Sequence, residues 1–206
     1  MERKYKLTDE CMQYEGHKLY RIQSLRSFSN VKEGELGGYI ESEDNLSHYG
    51  MCWVYEEAKV FGNAKVYNNA CVYSYANVFG NAEVCGDANV CGNADVCVDA
   101  KVCGNAEVSG DAKVCGDAKV YGKAEVRGDA KVYKNGDYIV FKNWWSSGRY
   151  FTWTRSNNKW KVGCFLGTGA ELINKAYEDS ELSGREYERV VKYVESILAD
   201  ENAQKK

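Results

Sequence analysis

Nine cysteines are the residues of this chain whose type and spacing could most readily do chemistry. Three of them follow successive valines in the stretch VCGNADVCVDAKVCGNAEV, residues 90–108. Cysteines bind zinc when three or four ligands converge, and two of them form a disulfide when their backbones lie close together. Which of these is open to the chain depends on the structural register of the surrounding sequence.

A second group combines aromatic and basic residues in the C-terminal third of the chain. Aromatic rings can stack on bases and basic side chains can hold phosphates, so the group is a candidate ligand or partner site. Alternatively, the tryptophans form the core of a small domain and the basic side chains surround it. Neighbours on a strand point to opposite faces, so we expect at least one ring of the pair Trp144-Trp145 to be exposed or at an interface. The candidate residues are Trp144, Trp145, Arg149, Trp153, Arg155, Lys159 and Lys161.

A six-residue repeat determines how these groups are positioned. Valine recurs every six residues from Val54 to Val132, nearly always two residues after an alanine, and the unit is V-x-G-[ND]-A-x. Side chains alternate along A-x-V-x, so Ala and Val face inward, the variable residues face outward, and the Gly-Asn or Gly-Asp pair turns the chain. We expect the Asn or Asp to adopt the left-handed backbone conformation there, because these residues tolerate it. Three hexads make one coil, and the array predicts a parallel β-helix of roughly five coils.

The repeat unit resembles the hexapeptide of the hexapeptide-repeat, left-handed β-helix superfamily, which has an aliphatic residue inside and Asn or Asp at the turn. The stretch LGGYIESEDNLSHYGMCWV, Leu36 to Val54, is similar to the start of the repeat in YdcK-like, transferase-like proteins and related prophage-encoded proteins. This resemblance covers about residues 1–135. It implies a mainly β fold, a left-handed parallel β-helix, and a homotrimer.

The same resemblance raises the possibility of an enzyme. Many members of the superfamily are acyltransferases that use a histidine as general base and bind acyl-CoA between subunits. This chain has only His17 and His48, neither in a regular coil, so His48 is a catalytic candidate only if the chain is an acyltransferase. The related γ-type carbonic anhydrases use three histidines as zinc ligands, which two histidines cannot supply. We therefore expect no catalytic residue, no metal and no cofactor.

In the coiled register, residues 18 apart stack about 4.8 Å from each other. Cysteines that are neighbours in sequence then lie on different faces, which disfavours zinc. Cys85 over Cys103, and Cys97 over Cys115, have a spacing compatible with disulfides. No export signal is visible, so we expect a reducing cytosol in which the thiols are free and act as small apolar groups. One outward column is apolar from end to end and is predicted to contact another subunit or the C-terminal domain: Phe61, Phe79, Cys97, Cys115 and Tyr133.

The sequence predicts four segments. Residues 1–38 form an N-terminal β cap, 39–135 the β-helix, 136–200 a small α+β domain, and 201–206 a frayed tail. At the start of the array, Ile40, Leu46 and Cys52 continue the small-residue register, and His48 falls in the valine register. The C-terminal domain has the order β-β-β-α-α, with strands near 137–143, 149–155 and 159–165 and helices near 169–179 and 184–199. Thr168 and Glu171 have the spacing of a capping box.

Composition restricts the classes of function. A formal net charge of -3 argues against bulk nucleic-acid binding, and no apolar run approaches the roughly 20 residues that span a membrane. We predict a cytoplasmic, non-catalytic, oligomeric binding protein, located in the host cytoplasm if it is phage-encoded. By resemblance to prophage proteins it would serve counter-defence, by blocking a host protein or sequestering a nucleotide. The alternatives are an acyl-CoA-dependent acyltransferase and a purely structural spacer.

Overall fold

The computed structural model describes residues 3–204 and divides into two compact units. The solenoid unit contains the chain up to Ile139 together with Thr154–Asn157. The C-terminal unit contains Val140–Trp153 and the chain from Asn158 onward. None of the helices in the described part of the chain is long and apolar enough to cross a membrane.

An antiparallel hairpin begins the solenoid unit. Strands β1 (Tyr5–Tyr14) and β2 (His17–Ser24) are joined by Glu15 and Gly16, which both have positive φ, as a tight hairpin turn requires. Strand β3 (Leu36–Ile40) pairs antiparallel with β2 and parallel with the first face of the solenoid. The hairpin therefore extends that face of the solenoid.

After a 3₁₀ turn at Glu43–Asn45, short strands form a mainly β solenoid of about five turns. The strands are β4 (Trp53–Val54), β5 (Lys59–Val60), β6 (Lys65–Val66), β7 (Cys71–Val72), β8 (Asn77–Val78), β9 (Glu83–Val84), β10 (Asn89–Val90), β11 (Asp95–Val96), β12 (Lys101–Val102), β13 (Glu107–Val108), β14 (Lys113–Val114), β15 (Lys119–Val120), β16 (Glu125–Val126) and β17 (Lys131–Val132). Their parallel pairing gives three sheets, which contain β3-β5-β8-β11-β14-β17, β4-β7-β10-β13-β16 and β6-β9-β12-β15. We call these sheets faces 1, 2 and 3, in that order.

The core of the solenoid is the predicted stack of valines and alanines. Val72 pairs with Val90, and Val90 with Val108, so the coil is 18 residues long as predicted. Every valine of the repeat from Val54 to Val132, and every alanine from Ala58 to Ala130, is at most 1% exposed. Fully burying an aliphatic side chain contributes about 1.5 to 3 kcal/mol, so this stack is the main source of the unit's stability.

The expectation about the turns was wrong in one respect. Positive φ occurs at the second residue after each repeat valine from Val54 to Val126, usually glycine and once Asn68, and not at the Asn or Asp that commonly follows this position. Glycine suits this slot because the chains approach closely there: a Cβ added to Gly92 would lie 2.9 Å from the backbone N of Gly110. Val98 occupies the slot in its coil with φ 64, a conformation that β-branched residues rarely adopt.

The Asn and Asp side chains instead connect the coils. The Nδ2 atom of Asn63 donates to Oδ1 of Asn81, whose own Nδ2 donates to Oδ1 of Asp99, at 3.0 and 2.8 Å. The same bond joins Asn93 to Asp111 at 2.9 Å. An amide can donate down such a column and a carboxylate can only accept, which accounts for Asn above Asp at these positions.

The predicted register fails at the first coil. Ile40 pairs with Val60 and Leu46 with Val66, a separation of 20 residues, so both occupy the valine register and not the small-residue one. From Trp53 opposite Cys71 the separation is 18. Two extra residues therefore lie in the corner at 47–51, and His48 belongs to that corner instead of the valine column.

The expectation of free thiols was wrong for four of the cysteines. Cys85 is bonded to Cys103 on face 3, and Cys97 to Cys115 on face 1, with Cα–Cα distances of 4.7 and 4.6 Å. The 18-residue coil places the two members of each pair directly above one another, within the range that a disulfide spans. The free cysteines among residues 3–204 are Cys11, Cys52, Cys71, Cys91 and Cys164.

After a 3₁₀ turn at Asn135–Asp137, a four-stranded antiparallel sheet and two helices follow, with the strands in chain order across the sheet. The predicted third strand is two strands, because the chain turns at Gly163, whose φ is +54. Helix α2 extends to Gln204, so 201–204 is helical, while the rest of the predicted frayed tail, 205 and 206, lies outside the described residues. The elements are β18 (Tyr138–Lys142), β19 (Tyr150–Thr154), β20 (Lys159–Val162), β21 (Phe165–Gly167), α1 (Gly169–Asp179) and α2 (Glu181–Gln204).

The predicted capping box starts α1. Glu171 N–H donates to Thr168 Oγ1 at 3.3 Å, and Thr168 N–H donates to the Glu171 carboxylate at 2.8 Å. The bond from Thr168 N–H to the carboxylate is the main cause that lowers the pKa of Glu171 below its usual value, and a bond from the Thr168 hydroxyl at 2.9 Å acts in the same direction. The two backbone donors are among those that a helix start would otherwise leave unpaired.

Candidate binding site in the C-terminal unit

Buried aromatic rings form the rigid base of the candidate site. Trp153 and Trp160 are each 1% exposed, and Phe151 packs between Trp160 and Tyr187 at centroid distances of 6.1 and 5.2 Å. Trp153 donates from Nε1 to Asn158 Oδ1 at 2.9 Å. The alternative interpretation, in which tryptophans build the small core, therefore describes these two residues.

Residues 143–149, between β18 and β19, are fixed to this base, and we call them the recognition loop. Asn143 is buried, and its Nδ2 donates to the hydroxyl of Tyr187 on α2 at 3.0 Å. Its Oδ1 accepts from Ser146 N–H at 2.9 Å, and its backbone N–H donates to Arg149 O at 2.7 Å, which closes the loop. A single buried amide thus orders the loop and ties it to a helix.

The tryptophan pair divides between core and surface, which confirms that at least one ring is exposed, but both residues lie in the loop and not on a strand. Trp145 is half-buried and packs edge-on against Tyr187 and Phe151 at 5.0 and 6.2 Å. Trp144 packs only its edge against Trp145, at 5.9 Å, and is 72% exposed. The recognition loop therefore presents a large ring to solvent on an anchored backbone.

A pocket of about 390 Å³ lies beside the recognition loop. The loop, the β20–β21 turn and both helices contribute to its wall. Val162, Phe165, Leu172 and Ala176 supply apolar surface, and Asn143 and Ser183 supply buried polar groups. This volume and this mixture of apolar wall with a few polar groups are typical of small-molecule sites.

The charged groups of the pocket come from separate elements. Arg149 belongs to the recognition loop, and Lys175 and Asp179 to α1. A Cβ at Gly163 would lie 3.1 Å from Arg149 Nη1, so the guanidinium reaches over the β20–β21 turn. Burial raises the pKa of Tyr187, while its hydrogen bond from Asn143 lowers it. The Tyr187 hydroxyl thus stays protonated and able to donate at neutral pH.

The structure does not bring the seven predicted site residues together. Arg155 belongs to the solenoid unit, where its Nε and N–H donate to the carbonyls of Gly136 and Asp137 at 3.1 and 2.8 Å. Lys161 is buried and donates to Gly163 O, and Lys159 is half-buried on β20. Trp144 and Arg149 are the two that reach solvent within the recognition loop.

Sequence reasoning missed Asn143, Lys175 and Ser183. Lys175 and Ser183 come to the pocket through the packing of α1 and α2, which no local pattern specifies. The signal available for Asn143 was its place directly after a strand and before Trp-Trp, where a polar side chain anchors a turn.

The predicted contact column on face 1 is partly covered within the solenoid unit. Phe61 is 3% exposed and packs with Leu19 and Tyr39 of the N-terminal strands, and Phe79 stacks on Phe61 at 5.1 Å. Cys97 and Cys115 form the disulfide on this face, and Tyr133 at its far end is 51% exposed. The role of this column in a subunit or domain contact stays a prediction.

His48 packs as part of the N-terminal cap. Its ring stacks on Tyr5 at 4.3 Å, its Nδ1 accepts from Lys4 N–H at 3.3 Å, and its Nε2 is buried 3.7 Å from Glu43. His17, the other histidine, bonds Glu41 through Nδ1 at 2.9 Å. Within the described residues, no group of three or more His, Cys, Asp or Glu side chains is placed to hold a metal ion.

No protein-family model matches this sequence, and no curated protein is similar to it. The parallel solenoid is consistent with a β-helix. The resemblance to the hexapeptide-repeat superfamily rests on the repeat unit, and the resemblance to YdcK-like proteins rests on the stretch from Leu36 to Val54.

Proposed function

We propose that this chain is a non-catalytic, oligomeric binding protein in which the solenoid is the scaffold and the recognition loop contacts the partner. The observation that carries the proposal is the 72% exposure of Trp144 on a loop held by Asn143. Tryptophan and arginine are the residues most enriched among those that dominate binding energy, and the recognition loop holds both. A loop ordered before binding loses less conformational entropy when the partner docks.

The acyltransferase alternative has less support. A general base must reach the proton of its substrate within hydrogen-bond distance. The His48 Nδ1 is engaged by the backbone of Lys4, and its Nε2 faces Glu43 in a buried corner. These contacts suit a residue that fixes the N-terminal cap, which leaves the binding role as the better-supported function.

The resemblance to prophage proteins supplies the biological setting of the proposal. In that setting the protein acts as a homotrimer and serves counter-defence, by blocking a host protein or sequestering a nucleotide. Light scattering of the purified protein tests the subunit number. A monomer would remove the oligomeric part of the proposal and leave the recognition loop as its core.

A comparative capture experiment tests the binding role. Immobilised wild type, Trp144→Ala and Tyr75→Ala are exposed to the same bacterial lysate, and bound material is quantified by mass spectrometry. Tyr75 is 61% exposed on the solenoid unit and serves as the matched control for loss of an exposed aromatic ring. The expected result is a species retained by wild type and Tyr75→Ala but depleted on Trp144→Ala. Equal capture by all three proteins would contradict the proposal.

A further inference from the structure

The pocket beside the recognition loop is lined by both apolar and charged groups. Phe165, Leu172 and Ala176 supply apolar surface, and Leu172 and Ala176 are each 3% exposed on α1. A flat or branched apolar group can cover this wall and exclude water from it, which is favourable in proportion to the area buried. The apolar groups therefore favour a ligand with an organic body over a bare inorganic ion.

The charged groups of the lining favour a negatively charged ligand group. Arg149 and Lys175 approach the pocket from the recognition loop and from α1, and Asp179 is the single carboxylate among the residues that line it. Arginine presents planar donors that match a carboxylate or a phosphate, and lysine adds a point charge. The Tyr187 hydroxyl, which accepts from Asn143, can donate its proton to the same ligand group.

We propose that this pocket binds a small organic anion, with a carboxylate or phosphate group held by Arg149 and Lys175 and an apolar body against Phe165, Leu172 and Ala176. The part of this inference that concerns partner binding rests on the proposed function. Asn143, Ser146, Ser147 and Arg149 line the pocket and belong to the recognition loop. A ligand that contacts them stabilises the loop conformation that displays Trp144, so pocket occupancy regulates capture of the partner.

Direct titration tests the pocket. The full-length protein is titrated by calorimetry, at low ionic strength, with phenyl phosphate and with benzoate. Inorganic phosphate and benzyl alcohol serve as probes that lack the apolar body and the charge, respectively. We expect saturable binding of at least one aromatic anion and weaker binding of both comparison probes. The aromatic anion that binds tells whether phosphate or carboxylate is preferred.

Charge variants locate the binding. Arg149→Gln with Lys175→Gln should weaken binding of the aromatic anion by about tenfold or more, because two charge-assisted contacts are lost. Lys192→Gln removes one positive charge, from an exposed lysine of α2 that pairs with Glu188, and it should leave affinity unchanged. Asp179→Asn should strengthen binding, because it removes the carboxylate nearest the anion. Circular dichroism establishes that each variant is folded.

Several outcomes would overturn the inference. The first is that neither aromatic anion shows saturable binding up to about 10 mM. The second is that Lys192→Gln weakens binding of the aromatic anion as much as the Arg149→Gln, Lys175→Gln variant does. The third is that Asp179→Asn weakens binding, which would indicate a cationic or zwitterionic ligand. If these probes fail while Trp144-dependent capture persists, the proposed function survives without the pocket ligand. If the probes bind and capture does not depend on Trp144, the pocket is real and the proposed function fails.

Discussion

Removing one disulfide should cost the solenoid unit a predictable part of its stability. The bond between Cys85 and Cys103 joins residues 18 apart and so closes a loop of one coil in the unfolded chain. Loop-closure entropy for that length corresponds to about 3 kcal/mol of folding free energy. The double substitution Cys85→Ser and Cys103→Ser should therefore lower the free energy of unfolding by about 3 kcal/mol.

Guanidinium unfolding followed by circular dichroism measures this difference in protein purified without reductant. Cys91→Ser is the matched control, because Cys91 occupies the equivalent outward slot on face 2 and is a free thiol. It reports the cost of exchanging sulfur for oxygen in that slot. Adding reductant should destabilise wild type by up to about 6 kcal/mol, since the Cys97–Cys115 bond closes a loop of the same length.

Two results would refute this reasoning. Labelling of the denatured, unreduced protein should find five reactive thiols, corresponding to Cys11, Cys52, Cys71, Cys91 and Cys164. Nine reactive thiols would show that the paired cysteines remain reduced in solution. An unfolding midpoint that does not respond to reductant would show that the bonds form without stabilising the fold.

Four further substitutions follow from individual contacts. Val98→Gly should stabilise the protein by about 1 kcal/mol in denaturant unfolding, because it relieves a positive φ at a half-exposed residue. Gly92→Ala should destabilise the protein in the same assay, because Gly92 has positive φ and lies close to the backbone of Gly110. A destabilising Val98→Gly together with a stabilising Gly92→Ala would contradict the assignment of the left-handed turn position. Phe61→Ala should cost about 3 kcal/mol in the same assay, since the ring is buried under the N-terminal hairpin, and a loss below about 1 kcal/mol would contradict that packing. The hydrogen bond from His17 is the main cause that lowers the pKa of Glu41, so this carboxylate stabilises the folded state above its ordinary pKa and the contribution is lost as pH falls through the folded value. The stability difference between wild type and Glu41→Gln should thus be constant above the ordinary glutamate pKa and shrink as pH falls below it. A difference that stays constant through that acidic range would show that Glu41 is not linked to folding.

The solenoid could be predicted from the sequence because the six-residue repeat contains both the core residues and the turn residues. Val and Ala two residues apart, repeated every six, can all be buried only when three hexads close a coil. The six-residue period could not predict the corner at 47–51, because two extra residues that occur in only one coil do not follow the repeat. It also misassigned the left-handed turn residue, since the tolerance of Asn for that conformation competes with its use in columns such as Asn63, Asn81 and Asp99.

The candidate site was predicted only in part, for a similar reason. The prediction that at least one ring of the pair Trp144-Trp145 is exposed is confirmed, but alternation along a strand did not tell which ring. Both residues lie in the loop after β18 and not on a strand. The neighbourhood of Arg149 and Lys175 depends on how α1 packs beside the sheet, which is tertiary information. Composition grouped Arg155 with the site, whereas the chain places it in the solenoid unit, bonded to the backbone of Gly136 and Asp137.

Native mass spectrometry of gently purified wild type and of a Trp144→Ala, Arg149→Gln variant tests the central claim most directly. It reports subunit number and bound material in one spectrum. The account predicts an oligomer that carries a bound species, and the same oligomer without that species in the variant. The same bound mass on both proteins, or a wild type that carries nothing and captures nothing, would contradict a binding role for the recognition loop.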